Sequence, residues 1–214
     1  MKKIMFDDRF DLTQAVLEGR KTMTRRMVPA RVLFKVLDYQ RQYHEMTLDA
    51  ISTEQAIENM VGPERMFHCA FQPGEIVAVA QSYHSILKEM FAKDKGYQNP
   101  IYNPFRAQKP NLEEEAGWNN KMFVKAGLMP HQIRITNVRV ERLQGISDRD
   151  SMREGVREDF AGFQYSFDSN IGYCGQYPFG TPREAFAALL DKVSGKGTWE
   201  SNPYVFVYEF ELIR

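Results

Sequence analysis

The segment Gly19-Arg20-Lys21-Thr22-Met23-Thr24-Arg25-Arg26 is the most unusual stretch of the chain. It combines one lysine with three arginines and two threonine hydroxyls. This mixture of a point charge, forked guanidinium groups and hydroxyls suits a phosphate group or the edge of a nucleobase. The segment lacks the GxxxxGK[ST] spacing of a Walker A loop, which excludes that kind of nucleotide site. From the chemistry of the residues alone, an exposed basic strand is an equally good interpretation.

Helical patterns flank this segment on both sides. A short helix is predicted over 12–18, because Asp11 and Gln14 form a capping-box pattern and Gly19 suits the helix end. Mainly helical sequence follows over 31–66. We therefore expect the basic segment to leave a helix end as a loop or as the start of a strand.

Apolar runs predict the strands of one sheet, at 75–80, 121–125, 133–143 and 204–213. The third run changes phase between its two apolar pairs, which predicts a β-bulge near Thr136 and Asn137. Capped helices are predicted after Ser147 and from Thr181. This order of elements is typical of an α+β fold with a mostly antiparallel sheet and flanking helices. A small closed barrel of about five or six strands would hide the edges of such a sheet.

The length of 214 residues fits one domain spanning 1–214. Two stretches are predicted to be insertions into it, one helical over 31–70 and one irregular over 84–117. Prolines at 100, 104 and 110 interrupt the second stretch. Loops of such length are either functional or disordered. One hypothesis is therefore a protein-interaction module whose insertions bind a protein partner.

The charges balance, with 28 Lys+Arg against 28 Asp+Glu. This balance excludes a highly charged disordered tail and argues against a broadly basic surface for nucleic acid. The charges nevertheless fall into blocks. Six basic and no acidic residues lie between Gly19 and Leu37, and five basic and one acidic residue lie between Lys121 and Leu143. If the two basic blocks converge, they form a cleft that attracts phosphate; the alternative is that they are solvated faces.

Nothing in the sequence predicts a cofactor, a metal site or a membrane span. Cys69 and Cys174 lie too far apart for a disulfide framework, and no Cys/His spacing suits zinc. A reactive thiol at Cys174 is disfavoured, because no base is placed beside it. No run approaches about 18 apolar residues, and the N-terminus does not resemble a signal peptide. We expect a cytoplasmic protein that makes no membrane contact.

The basic segment resembles the signature of the ASCH domain family, a PUA-like family related to RNA-binding modules. In that signature a short helix ends in Gly-x-Lys-x-x-Thr-x-Arg, which matches Gly19, Lys21, Thr24 and Arg26. Three further stretches resemble phage and prophage members of the family, in the family's order: 73–79, 134–147 and 197–207. The resemblance covers roughly residues 1–28, 73–83 and 118–214. It implies a small β-barrel with a cleft that the Lys/Thr segment lines.

The resemblance also implies an RNA or nucleotide ligand for this cleft. One branch of the family hydrolyses N4-acetylcytidine with a lysine, a threonine and a glutamate, and the first two match Lys21 and Thr24 as candidate catalytic residues. Arg134 stands where that branch has its glutamate, which favours binding over hydrolysis. Glu75 and Glu141 are other carboxylates on flanking strands, but no pattern places them at the site.

The predicted ligand-binding residues combine the basic segment, the long strand and two aromatics of the closing motif. They are Arg20, Lys21, Thr22, Thr24, Arg25, Arg26, Arg134, Trp199 and Tyr204. Trp199 and Tyr204 offer rings on which a base stacks. The favoured interpretation of both rings is that they anchor the last strand in the core.

Overall fold

A mixed five-stranded sheet carries the fold of the computed structural model, which describes residues 1–47, 49–60, 69–93, 111–158, 162, 164–167 and 178–213. Its strands are β1 (Lys3–Ile4), β2 (Met23–Met27), β3 (Ile76–Val79), β4 (Gln132–Arg142) and β7 (Tyr204–Ile213). Their order across the sheet is β1-β3-β4-β7-β2. β1 is parallel to β3, and the other neighbours are antiparallel. The predicted α+β class is confirmed.

Helices cover the sheet, and a second, short ladder joins β5 (Arg157–Glu158) to β6 (Tyr165–Ser166). The helices of the described residues are α1 (Leu12–Leu17), α2 (Ala30–Thr47), α3 (Thr53–Met60), α4 (Tyr83–Lys93), α5 (Asp148–Arg153), α6 (Pro182–Ser194) and α7 (Thr198–Ser201). None of these helices is both long and apolar enough to cross a membrane.

β4 and β7 form the long central ladder, and the predicted bulge is confirmed between Ile135 and Asn137. The extra residue brings Ile133 and Ile135 onto the same face as Val138 and Val140. All four therefore contribute to one core, which lies on a single side of the sheet.

Different elements cover the two faces of the β7–β2 pair. On one face Tyr208 and Phe210 pack with β1, α1 and the α2–α3 pair, so the predicted helical insertion closes this side of the sheet. On the other face Met23 and Val207 pack against Phe186 of α6. β2 is thereby held between two cores, although β7 is the only strand of the described residues that pairs with its backbone.

Two predicted elements are wrong. Residues 121–125 do not form a strand, because the Lys3 ammonium donates hydrogen bonds to the carbonyl groups of Lys121, Met122 and Val124. Short 3₁₀ turns form instead at Lys121–Phe123 and Ala126–Leu128. The stretch predicted to be irregular from residue 84 begins with α4. The Ser82 hydroxyl caps this helix, and Ile86 and Leu87 bury its inner face. Residues 94–110, half of that predicted insertion, lie outside the described part of the chain.

Asp11 does not cap α1 with its side chain, contrary to the predicted capping box. Its backbone is left-handed (φ 57°), and its carboxylate pairs with Arg157 and Arg20. Gly19 does end the helix, with φ 74°. The basic segment therefore leaves α1 through a sharp turn and enters β2.

The capping box at Thr181 gives a direct test of the fold. The Thr181 hydroxyl accepts from the Glu184 N–H at 3.2 Å, and the Glu184 carboxylate accepts from the Thr181 N–H at 3.2 Å. Thr181→Ala should lower the free energy of unfolding by about 1 kcal/mol, measured by urea denaturation. Thr181→Ser keeps the hydroxyl and should stay close to the wild type. Equal losses in both variants would contradict the cap.

Candidate functional site

The turn after α1 aims the Lys21 side chain into the protein. The Lys21 N–H donates to Ala15 O at 2.9 Å, and the Thr22 N–H donates to Arg153 O at 3.0 Å. These two bonds tie the start of β2 to α1 on one side and to the end of α5 on the other. The ammonium group is left pointing at the residue that follows Arg153, which is Glu154.

Lys21 and Glu154 form a fully buried ion pair. The two side chains are 2% and 4% exposed, and Lys21 Nζ lies 2.5 Å from Glu154 Oε2 and 2.7 Å from Glu154 O. The Phe6 ring centroid lies 5.7 Å from the same nitrogen. Burial lowers the pKa of Lys21 below its ordinary value of 10.5, although Glu154 opposes this shift.

Gly155 makes room for this pair. Its φ of +107° is a backbone conformation that residues with a side chain rarely adopt. An added Cβ would lie 3.1 Å from Leu12 Cδ2 and 3.7 Å from Lys21 Cδ. The glycine therefore ends α5 and lets the lysine stem pass beside the backbone.

Arg25 of β2 reaches the same carboxylate. Its guanidinium group lies 3.0 Å from Glu154, 2.6 Å from Glu141 and 3.6 Å from Asp150. Glu154 thus bridges Lys21 and Arg25, with one carboxylate oxygen for each. The sequence suggested Glu141 as a carboxylate on a flanking strand but did not place it at the site. In the structure it pairs with Arg25.

Internal carboxylates neutralise most of the basic residues that were predicted to attract phosphate. Arg139 and Arg153 pair with Asp150 and Glu209 beside the Arg25 cluster. Arg20 pairs with Glu18, and its other contact is Asp11 at 3.8 Å. Within the described residues, Arg26 is the one cation of the 19–26 segment without an acidic partner. Its Nη2 donates instead to Met5 O.

A cavity of about 180 Å³, here called the β2 cavity, opens beside this cluster. Its walls are the Met5–Asp7 stretch, residues 24–27 of β2, Glu154, and apolar side chains of α6 such as Phe186 and Leu189. Thr24 is 5% exposed, and its hydroxyl has no hydrogen-bond partner in the described chain. The cavity therefore presents a free hydroxyl, a guanidinium group and a carboxylate next to apolar walls.

The structure brings only part of the predicted site together. Thr24, Arg25 and Arg26 line the cavity, and Lys21 lies directly behind Glu154. The Thr22 hydroxyl instead accepts from Arg153 Nε at 3.1 Å. Thr22 and Arg20 are not among the described residues that line the cavity.

Arg134 lies far from the β2 cavity. It pairs with Glu211 across the β4–β7 ladder at 2.9 Å, and both side chains are about half exposed. Thr24 shares its cross-strand row with Val138, and Arg134 lies four residues earlier on β4, roughly 13 Å along the strand. Arg134 therefore belongs to an exposed pair and not to this site.

Trp199 and Tyr204, the two aromatics predicted to stack on a base, pack against other side chains of the protein. The Trp199 ring packs edge-on against Phe186 at 6.3 Å and lies under the Arg183 guanidinium. The Tyr204 ring is covered by Arg142 at 3.7 Å. Neither ring lines the cavity as far as the chain is described. This agrees with the favoured interpretation of both as structural anchors.

Glu154 is the site residue that sequence patterns missed. It directly follows the last residue of the short helix α5, in the sequence Arg153-Glu154-Gly155, and no motif of fixed spacing links it to Lys21 across 133 positions. The one local signal in the sequence was Gly155, which predicts a helix end there and therefore puts the preceding residue, Glu154, at the end of the helix. Cys174, the disfavoured thiol, lies outside the described residues.

Comparisons with known proteins found no similarity to interpret. No protein-family model matches the chain, and no curated protein or solved structure is significantly similar to it. In the described ranges, no group of three or more His, Cys, Asp or Glu side chains is arranged to hold a metal ion.

The buried pair predicts an asymmetric response to mutation. Glu154→Gln leaves the Lys21 ammonium without its counter-ion, and should lower the free energy of unfolding by about 3 kcal/mol or more in urea denaturation at pH 7. Lys21→Met combined with Glu154→Gln should recover most of this loss, because no buried charge is left at position 21. The matched control Glu211→Gln, in the exposed pair with Arg134, should cost less than about 1 kcal/mol. A loss below 1 kcal/mol for Glu154→Gln would contradict the pair.

The lowered pKa of Lys21 fixes the direction in which the free energy of unfolding changes with pH. Between the lowered pKa of folded Lys21 and 10.5, the unfolded chain binds a proton that the folded chain does not. The Lys21 contribution to the free energy of unfolding should therefore rise with pH through this window. Denaturation of wild type and Lys21→Met at pH 8 to 10.5 isolates the effect, and a difference that does not change with pH would refute it.

Proposed function

We propose that this chain is an ASCH-type, PUA-like protein and that the β2 cavity binds a nucleoside or a nucleotide. The proposal is supported by Lys21, Thr24 and Arg26, the signature residues that the family resemblance associates with function. Thr24 and Arg26 line the cavity, and Lys21 pairs with the carboxylate that lines it.

The observation that carries the proposal is the unpartnered polar chemistry of the cavity. The Thr24 hydroxyl has no partner in the described residues, and the Arg26 guanidinium has no acidic one. Both stand among apolar groups that include Phe6 and Leu189. A flat heteroaromatic ring with polar edges satisfies such a site, since small-ligand pockets combine apolar walls with few polar groups.

The charges favour a small ligand over a long nucleic acid. Binding of a polyanion depends on many free cations along its backbone. Here Lys21, Arg25 and Arg139 are neutralised by internal carboxylates. The Arg26 guanidinium group, which has no ion pair in the described residues, suits one phosphate group or one base edge at the cavity.

A PUA-like barrel is the architecture that we infer for the sheet. β1 and β2 stand at the two ends of the strand order, and no backbone ladder joins them in the described residues. The Arg26 bond to Met5 O links β2 to the stretch after β1 and holds the two ends near each other. The β2 cavity would then lie in the seam of the barrel.

Direct titration tests the proposal. Isothermal titration calorimetry with nucleosides, their 5′-monophosphates and tRNA should detect binding of at least one nucleoside or monophosphate. Arg26→Gln should weaken this binding about tenfold, and Thr24→Val about three- to tenfold. Arg134→Gln, which changes an equally basic residue outside the cavity, should leave it unchanged. Absence of binding across the panel would reject the proposal, as would an effect of Arg134→Gln equal to that of Arg26→Gln.

Hydrolysis of an acylated nucleoside such as N4-acetylcytidine is a second candidate. It is favoured by one observation: Glu154 supplies a carboxylate 2.5 Å from Lys21 Nζ and lines the same cavity as Thr24. The match to the family's motifs had put Arg134 in the position of the catalytic glutamate, so that no carboxylate was assigned to the site. The glutamate that pairs with the lysine therefore lines the same cavity as the threonine, and it comes from a different element of the fold.

The chemistry of this candidate uses Thr24 as the nucleophile. Its oxygen would attack the acyl carbon while its proton passes to neutral Lys21, and the nucleoside amine would leave with a proton. Water would then cleave the acyl–threonine ester and release the acid. Burial favours the neutral lysine that the first step needs, because it lowers the pKa of Lys21.

Release of cytidine from N4-acetylcytidine, followed by chromatography, tests the second candidate. Thr24→Val should abolish turnover, and Thr24→Ser should retain part of it. The rate should rise with pH up to the lowered pKa of Lys21 and then level off, because the neutral amine is the base. No cytidine at high enzyme concentration, or full turnover by Thr24→Val, would reject hydrolysis and leave the binding proposal standing.

A further inference from the structure

The edge of β2 that faces away from β7 carries unused backbone groups. The Val28 N–H donates to Tyr204 O, and the Phe210 N–H donates to Thr22 O, so the even-numbered residues of this segment bond to β7. In an antiparallel ladder, hydrogen-bonded and non-bonded pairs alternate. The N–H and C=O groups of Arg25 and Met27 therefore point away from β7, and neither residue has a backbone partner there among the described residues.

The β2 cavity lies against this free edge. Thr24, Arg25, Arg26 and Met27 all line it, although successive side chains of a strand point to opposite faces. A cavity that contacts four consecutive residues must border the strand along its edge. Across the cavity, Arg26 bonds to Met5 O, which spans the gap and leaves no room there for another strand.

Met27 is the accessible part of this edge. It is 52% exposed, whereas Arg25 is 7% exposed and held by its carboxylates. The N–H and C=O of one extended residue point the same way, since paired residues exchange both bonds. Met27 thus presents a donor beside an acceptor at the mouth of the cavity.

We propose that the backbone of Met27 reads the hydrogen-bonding edge of a nucleobase that carries an acceptor next to a donor. For cytosine, the Met27 N–H donates to ring N3, and the Met27 C=O accepts from the N4 amino group. The ring of the base lies in the β2 cavity against its apolar wall. This inference rests on the proposed nucleoside ligand and adds the group that selects the base.

Met27→Pro removes the outward N–H of residue 27 together with the methionine side chain. Proline is tolerated on an edge strand where its nitrogen faces away from the ladder, and the preceding Arg26 already has the extended conformation that proline requires. Met27→Ala is the matched control, because it removes the same side chain and keeps the N–H. Thermal melting of both variants verifies that each is folded.

Calorimetric titration of the two variants and the wild type tests the inference. The probes are two matched pairs, cytidine with 3-deazacytidine and adenosine with 1-deazaadenosine, whose second members lack the ring acceptor. The wild type and Met27→Ala should bind the parent nucleoside about three- to tenfold more tightly than its deaza analogue. Met27→Pro should bind the parent more weakly by a similar factor and lose this discrimination.

The outcomes separate this inference from the proposed function. Binding of nucleosides without discrimination by the wild type, or equal binding by Met27→Pro and Met27→Ala, overturns the role of Met27 and leaves the cavity as the site. Absence of any nucleoside or nucleotide binding overturns both. If Met27→Pro does not fold, the comparison of parent and deaza analogues on the wild type still decides the question.

Discussion

A buried ammonium group is the constraint around which this structure is arranged. Lys21 leaves the turn after α1 and is removed from water, so the fold must supply an opposite charge inside the protein. Glu154 does this with its carboxylate and its carbonyl group. Gly155 gives the lysine stem its space, and Arg25 takes the second carboxylate oxygen. One pair thereby joins α1, β2 and α5.

The same neutralisation changes what the basic segment is able to bind. Three of the basic residues that looked like a phosphate-attracting surface, Lys21, Arg25 and Arg139, are members of an internal ionic network that includes Glu154 and Glu209. What remains at the β2 cavity is Arg26, the Thr24 hydroxyl and the free edge of the strand. The proposed ligand would be recognised by its shape and hydrogen-bonding pattern more than by its total charge. A net charge of zero is consistent with a ligand of this kind.

Much of the fold was predictable because its signals are local. The bulge in β4 followed from a phase change within a few residues, and the α6 cap followed from Thr181 and Glu184. The errors arose where distant residues decide local structure. Residues 121–125 are apolar enough for a strand, but the Lys3 ammonium binds their carbonyl groups. α4 was missed because prolines further along suggested an irregular loop.

Local periodicity was enough to predict the α+β class and a loop or strand start at the basic segment. Lys21, Thr24 and Arg26 were selected by the family resemblance, because residue chemistry alone left an exposed basic strand as an equal alternative. The tertiary fold sets which carboxylate pairs with Lys21, because Glu154 is 133 positions away and folding alone brings the two together. It likewise removed Arg134 from the site, since strand register sets which residues of β4 and β2 share a row. Contacts between distant segments depend on packing, and no local pattern encodes them.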